Sequence, residues 1–265
     1  MFDYHMHSSF SADCPVPMED MIKGAIQKGL TEICFTEHID YEYPDDTIVF
    51  DFDKKEYASK LKEMQNKYEG RIVIKKGIEI GVQPHILDRY DELMDKEKFD
   101  FVICSMHTVE KKGLHYGEFF EGKTIEEAHG IYYKELLYCV KNYKQFNILG
   151  HVDLVKRYSK IQCEKPFHDE LTDLFNVIIP EGKGIELNTS GVRYGLASGM
   201  PSNDVLKLYR QCGGEVITLG SDAHKPEDIA FQFGESLQLL DSIGFKYITT
   251  FNNQKPEFHS ISHLL

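Results

Sequence analysis

The sequence predicts an α/β protein: a distorted (β/α)7 TIM-like barrel built as one domain over residues 1–265, with a metal site at the C-terminal ends of its strands. Three observations predict it. Short apolar, β-branched runs alternate with amphipathic stretches through the chain, with no linker, repeat or low-complexity segment between them. Runs such as Ile103-Cys104 and Ile148-Leu149 are continuously apolar, as in parallel strands buried on both faces. Nearly every run ends on a His, Asp or Glu, where barrel enzymes place their chemistry. A length of 265 residues suits one such barrel, and a doubly wound open sheet is the alternative.

In chain order the predicted strands are Met1–Tyr4, Glu32–Thr36, Ile72–Ile80, Phe99–Ser105, Phe146–Gly150, Gly184–Asn188 and Glu215–Gly220. The helical patterns between and after them are Met18–Lys28, Lys54–Tyr68, Ile125–Tyr143, Asp169–Ile179, Asn203–Gln211 and Pro226–Ser242. The first strand runs into His5 and His7, the second into His38 and the third into Glu79. The fourth leads to His107, the fifth to His151, and the seventh to Asp222 and His224. The sixth offers no metal ligand of its own.

A lone His at a strand end is usually a hydrogen-bonded structural residue. Two pairs here are more specific. In extended backbone, residues i and i+2 point the same way, so His5 and His7 can reach one cation, as can Asp222 and His224. Burying so many ionisable groups without a cation would leave them unpaired and costly. Mixed imidazole and carboxylate donors suit Zn, Mn or Fe, and the lack of Cys ligands argues against a purely structural zinc site. His85, His115, His129, His168, His259 and His263 fall in helices, loops or the tail and are read as solvated or locally bonded.

Composition excludes several classes. A formal charge of -13 repels phosphate backbones, so a nucleic-acid partner is not expected. Three divalent cations would bring the total to -7 and create a local positive well, compatible with a small phosphate ester. The opening Met1–His5 shows no signal-peptide pattern, and no stretch reaches the ~18 apolar residues of a membrane span. The six cysteines form no C-x-x-C pair. A reducing, cytoplasmic location without a membrane partner is expected; oligomeric state is left open.

His5-Met6-His7, Thr36-Glu37-His38, Gly77-Ile78-Glu79, Ser105-Met106-His107, Gly150-His151 and Ser221-Asp222-Ala223-His224 resemble, in order and spacing, the motif series of the PHP (polymerase and histidinol phosphatase) superfamily. The run from Gly150 to Tyr158 is similar to its histidinol-phosphatase branch. This resemblance implies a trinuclear centre. His5, His7, Glu79 and Asp222 would hold one metal; Glu79 would bridge to a second that also takes His107 and His151; Asp13, His38 and His224 would hold a third. Many relatives have His where this chain has Asp13, and occupancy of that third site, two ions or three, follows from the difference.

The implied reaction is hydrolysis of a phosphate monoester, L-histidinol phosphate in histidine biosynthesis, by a metal-bridging hydroxide that Glu79 and the other ligands hold in place. Three cations against Asp13, Glu79 and Asp222 leave roughly +3, matching a phosphate dianion plus hydroxide. Arg157 and Arg193 lie just beyond strand ends and can clamp phosphate, with Arg193 preferred because its loop faces the site. Asp40 and Asp153, each two residues past a liganding His, can orient that His or bind a substrate amine. The alternatives are a protein-tyrosine or broad small-molecule phosphatase, and a non-catalytic metal-binding domain. An amidohydrolase is disfavoured because the fourth strand ends Ser105-Met106-His107 without the bridging Lys.

Overall fold

The computed structural model describes all 265 residues. Seven parallel strands form its frame: β1 (Phe2–Met6), β2 (Glu32–Phe35), β3 (Val73–Gly81), β4 (Phe101–Ser105), β5 (Ile148–Leu149), β6 (Gly184–Asn188) and β7 (Ile217–Gly220). Each pairs with its neighbour in chain order, and the two-residue strand His38–Ile39 adds to the upper half of β3. Strands β4, β6 and β7 are buried along their whole length, as expected when helices cover one face and a barrel interior the other. A bridge from the first strand to the exit of the last, Met6 to Ala223, closes the barrel and excludes the open-sheet alternative.

The barrel closes through very little backbone. Between β1 and the exit of β7 there is a single parallel bridge, Met6 to Ala223. It is made by the His7 N–H donating to the Ala223 carbonyl at 2.9 Å and the Asp222 N–H donating to the His5 carbonyl at 2.7 Å. Asp3 reinforces the seam. Its buried carboxylate accepts the Ser221 N–H and the Ala230 N–H, each at 3.0 Å.

The longer helices are α1 (Met18–Gln27), α2 (Lys54–Lys67), α3 (Leu87–Lys96), α4 (Ile125–Asn142), α5 (His168–Ile178), α6 (Asn203–Gln211) and α7 (Phe233–Ile243). Asp53 caps α2 by accepting the Lys55 and Glu56 N–H groups, and Thr124 with Glu127 forms a capping box on α4. Helix α3 is absent from the sequence prediction. The predicted helix over Pro226–Ser242 is also shorter than expected. Only a helical turn at Pro226–Asp228 precedes α7, because Ala230 and Gln232 take positive φ and the Ala230 N–H is committed to Asp3.

Packing divides the apolar residues into two clusters. The larger, 63 buried residues, fills the space between strands and helices. The smaller (Tyr4, Cys34, Phe101, Ile103, Ile148 and Phe251) contains residues of β1, β2, β4 and β5 together with one from outside the barrel. That outsider comes from an unpredicted antiparallel hairpin, β8 (Tyr247–Asn252) and β9 (Lys255–Ser260). Phe251 stacks on Phe101 with centroids 5.0 Å apart, and the Tyr4 hydroxyl accepts the Phe251 N–H at 3.1 Å while bonding the Glu32 carboxylate. The hairpin thus plugs the barrel end opposite the strand exits that carry the expected site.

Phe251→Ala should therefore lower unfolding free energy by about 3–5 kcal/mol, the scale for losing a buried Phe. Urea unfolding of the metal-free protein measures this. Metal content per folded molecule should not change; a parallel loss of metal would show that plug and site are one unit.

Candidate metal centre

Glu79 stands near the top of β3, fully buried, with imidazoles on both sides. Its Oε1 lies 3.0 Å from His151 Nε2 and 3.3 Å from His107 Nε2. Its Oε2 lies 2.9 Å from His5 Nε2, 3.2 Å from His38 Nδ1 and 3.6 Å from His7 Nε2. One carboxylate thus faces two groups of imidazoles, one per oxygen. Asp222 Oδ1 sits 3.4 Å from His7 Nε2 and 3.7 Å from both His5 Nε2 and His224 Nδ1. Four overlapping sets have donor atoms close enough to share an ion: His5–His7–Asp222, His5–Glu79–His151, His38–Glu79–His107 and His7–His38–His224.

Asp13 adjoins this arrangement without entering any of the four sets. Its Oδ2 is 3.2 Å from His224 Nε2 and 3.8 Å from His38 Nε2. At 40% side-chain exposure it is the most open of the residues expected to bind metal.

A further layer of carboxylates lies behind these ligands. Glu186 Oε1 is 2.7 Å from His5 Nδ1, and its Oε2 accepts the His151 N–H at 3.1 Å. The sixth strand supplies no donor to the four sets, as expected, yet it carries a residue the sequence reading missed: Glu186 on β6, a fully buried carboxylate behind His5. A signal exists, since Gly184-Ile185-Glu186 repeats the Gly77-Ile78-Glu79 pattern of a lone carboxylate inside an apolar strand. Gly220 makes the space, because a Cβ there would collide with Glu186 Oε1. Asp40 plays a similar part for His107, with Oδ1 2.6 Å from Nδ1, and Gly81 leaves room for it.

Electrostatics test whether these residues fit cations. Burial alone would raise the Glu79 and Asp222 carboxyls, yet the surrounding imidazoles, His5 first, hold both well below the usual carboxylate range. Burial opposes charge on His5 too, but Glu186, Glu79 and Asp222 raise it well above its ordinary value. His38 is raised to about 9 against burial by Glu79 and Asp13. The cluster of carboxylates therefore demands positive charge at its centre. His7 behaves oppositely: burial, with His224 and His38 beside it, pushes it down to about 3, so it is neutral. His7 Nε2 and His38 Nδ1 are buried without a hydrogen-bond partner although carboxylate oxygens stand close by. Nitrogens aimed at carboxylates without hydrogen bonds suit a shared cation, and the donor set fits.

Above the centre opens a cavity of about 350 Å³, walled by Tyr43, Phe50, Tyr116, Tyr158, Tyr194 and Arg157. His115 also reaches it, unlike the other histidines read as non-ligands. The preference for Arg193 over Arg157 is reversed here. Arg193 donates to the Ser221 carbonyl at 2.8 Å and the Asp222 carbonyl at 2.9 Å and pairs with Asp228, so its fork holds the loop after β7. Arg157 lines the cavity, its guanidinium 3.2 Å over the Tyr194 ring and 3.9 Å from Asp222 Oδ2. Asp153 does not touch His151. It accepts the Ser202 N–H and pairs with Lys156, joining the loops after β5 and β6.

A barrel with histidines at its strand exits around a buried carboxylate defines a class: α/β-barrel hydrolases with a His/Asp/Glu cluster suited to metal. The PHP domain model matches residues 3–190, and the chain belongs to that family. It is 31% identical to the histidinol-phosphatase of Lactococcus lactis over 96% of this chain and 95% of that one. It is 23% identical to the histidinol-phosphatase of Bacillus subtilis, covering 89% and 98%. Among solved structures, histidinol phosphate phosphatase from Lactococcus lactis, complexed with zinc, L-histidinol and phosphate, superposes with a TM-score of 0.86. That match has 30% identity and covers 97% of this chain and 98% of that one. No helix here is long and apolar enough to cross a membrane.

Glu79→Gln keeps the shape of the side chain and removes its charge. Bound metal in the purified protein, read by elemental analysis, should fall by at least one equivalent. Full metal retention would remove Glu79 from the centre.

Proposed function

We propose that this chain is a metal-dependent phosphomonoesterase that hydrolyses L-histidinol phosphate to L-histidinol and phosphate, a step of histidine biosynthesis. The near full-length similarity to an enzyme solved with zinc, L-histidinol and phosphate carries the reading. The proposed ligands are His5, His7, His38, Glu79, His107, His151, Asp222 and His224, with Asp13 at the open edge, holding two or three divalent ions, zinc foremost.

Divalent cations bound there would supply Lewis acidity to the phosphoryl oxygens and lower the pKa of a coordinated water. The chain's own residues do the rest. Glu79 and Asp222 supply the negative charge that keeps like-charged ions together. Arg157 presents a planar fork at the cavity wall, suited to phosphate oxygens. Its stack on Tyr194 fixes the guanidinium plane before substrate arrives. The aromatic wall of Tyr43, Phe50, Tyr116 and Tyr158 offers flat faces to an imidazole and an ammonium. Asp40 is engaged by His107 and His38, so it orients imidazoles and is not free for a substrate amine.

Two measurements test this. Under one set of metal conditions, kcat/KM for L-histidinol phosphate should far exceed that for phosphotyrosine peptides or nucleotides. A preference for phosphotyrosine would move the chain to the protein-tyrosine phosphatase reading. Arg157→Ala should cost roughly 1.5–3 kcal/mol in kcat/KM with metal content unchanged, the scale of a charged hydrogen bond. Arg193→Ala should instead lower metal affinity, since it frees the loop carrying Asp222 and His224. A kinetically silent Arg157→Ala would return that residue to the surface.

A further inference from the structure

Glu37 lies between a strand and a proposed ligand, is completely buried, and touches no imidazole. A carboxylate with no exposure needs partners, and it has three. Its Oε1 accepts the Ser8 hydroxyl at 2.5 Å. Its Oε2 accepts the Ser8 N–H at 3.0 Å and the Ser11 hydroxyl at 2.6 Å. Both serines belong to the loop after β1, which also carries Asp13.

The Ser11 hydroxyl decides which nitrogen of His7 carries the proton. It has one proton of its own and two lone pairs. An ionised Glu37 takes that proton, so the oxygen can only accept elsewhere. It accepts the His38 N–H at 3.0 Å, and its remaining neighbour is His7 Nδ1 at 3.1 Å. His7 must then donate to it from Nδ1. A neutral imidazole carries one N–H, so Nε2 is left with a lone pair, and Nε2 is the atom facing Glu79 and Asp222 with no hydrogen-bond partner. His5 and His107 have their Nδ1 atoms held by carboxylates directly; His7 reaches one only through a hydroxyl.

We infer that Glu37 is a positioning residue that acts through Ser11: by consuming the hydroxyl proton it fixes the His7 tautomer and presents Nε2 to the metal centre. Glu37 thus bonds no proposed ligand side chain, yet controls one donor atom. The inference rests on the metal-site reading above, and its test separates the two.

The first measurement is made without metal. Nitrogen-15 NMR of the histidine rings at about pH 8.5, above the value of about 7 to which burial raises Glu37, should give His7 as the Nδ1–H tautomer in the wild type and a mixture of tautomers in Ser11→Ala. An unchanged tautomer in Ser11→Ala overturns the relay. The second is zinc affinity by chelator competition, per folded molecule. Ser11→Ala and Glu37→Gln should each weaken the affected ion by about 10–100-fold, the range for lost outer partners of a liganding His. Their double variant should be no worse than the stronger single one. Ser8→Ala removes an equally close partner of Glu37 without touching His7 and should weaken zinc less. Equal losses in Ser8→Ala and Ser11→Ala would mean that Glu37 only packs the loop, overturning the inference. Should Glu37→Gln fail to fold, Ser11→Ala still decides. A wild type that binds no zinc sinks the metal reading and leaves the tautomer result standing.

Discussion

The structure depends on keeping negative charge inside the end of a closed barrel. Glu79 and Glu186 have no exposure, and Asp222 has almost none, yet all three stand within reach of one another's imidazole partners. Desolvated carboxylates gathered this closely are tolerable only beside compensating positive charge. In this chain His5 and His107 supply part of it, both raised well above their ordinary values by the carboxylates beside them. Everything around the centre serves that demand, from the glycines that admit the carboxylates to the loop bonds that hold the imidazoles at fixed angles.

The barrel interior is accordingly divided by chemistry. At one end Tyr4, Phe101, Ile103, Ile148 and Phe251 pack as a dry apolar layer. At the other, His5, Glu79, Glu186 and His151 form a polar one. The same strands build both layers. β1 contributes Tyr4 to the first and His5 to the second, one residue apart. The apolar layer gives the polar one a rigid floor, which preorganisation of a multi-ligand site requires.

Much of this is legible in the sequence, because strand geometry converts spacing into direction. His5 and His7 share a side of extended backbone, and the isolated Glu79 in an apolar run has nowhere to go but inside. Glu186 carries the same mark, but it sits within its strand, whereas barrel ligands are expected at strand exits. The apolar positions of α3 (Leu87, Tyr90, Leu93 and Met94) follow helical spacing, but the segment is so charged that burial is not apparent. The roles of Arg193 and the C-terminal hairpin are not readable. Arg193 bonds backbone carbonyls, which every residue offers, and the hairpin is held by Phe251 and Tyr4, 247 positions apart. Side-chain choices of that range emerge only when the chain is folded.

The narrow seam between β1 and the exit of β7 has a consequence for how the protein is made. Two hydrogen bonds there join the first seven residues to residues 222 and 223. During synthesis His5 and His7 leave the ribosome more than 200 residues ahead of Asp222 and His224. Until then the nascent barrel is an open trough, with β1 unbridged on that side. An ion captured early would be held by half a coordination shell and exchange readily with its surroundings. If the site holds ions, commitment to one metal would be postponed to the moment of closure.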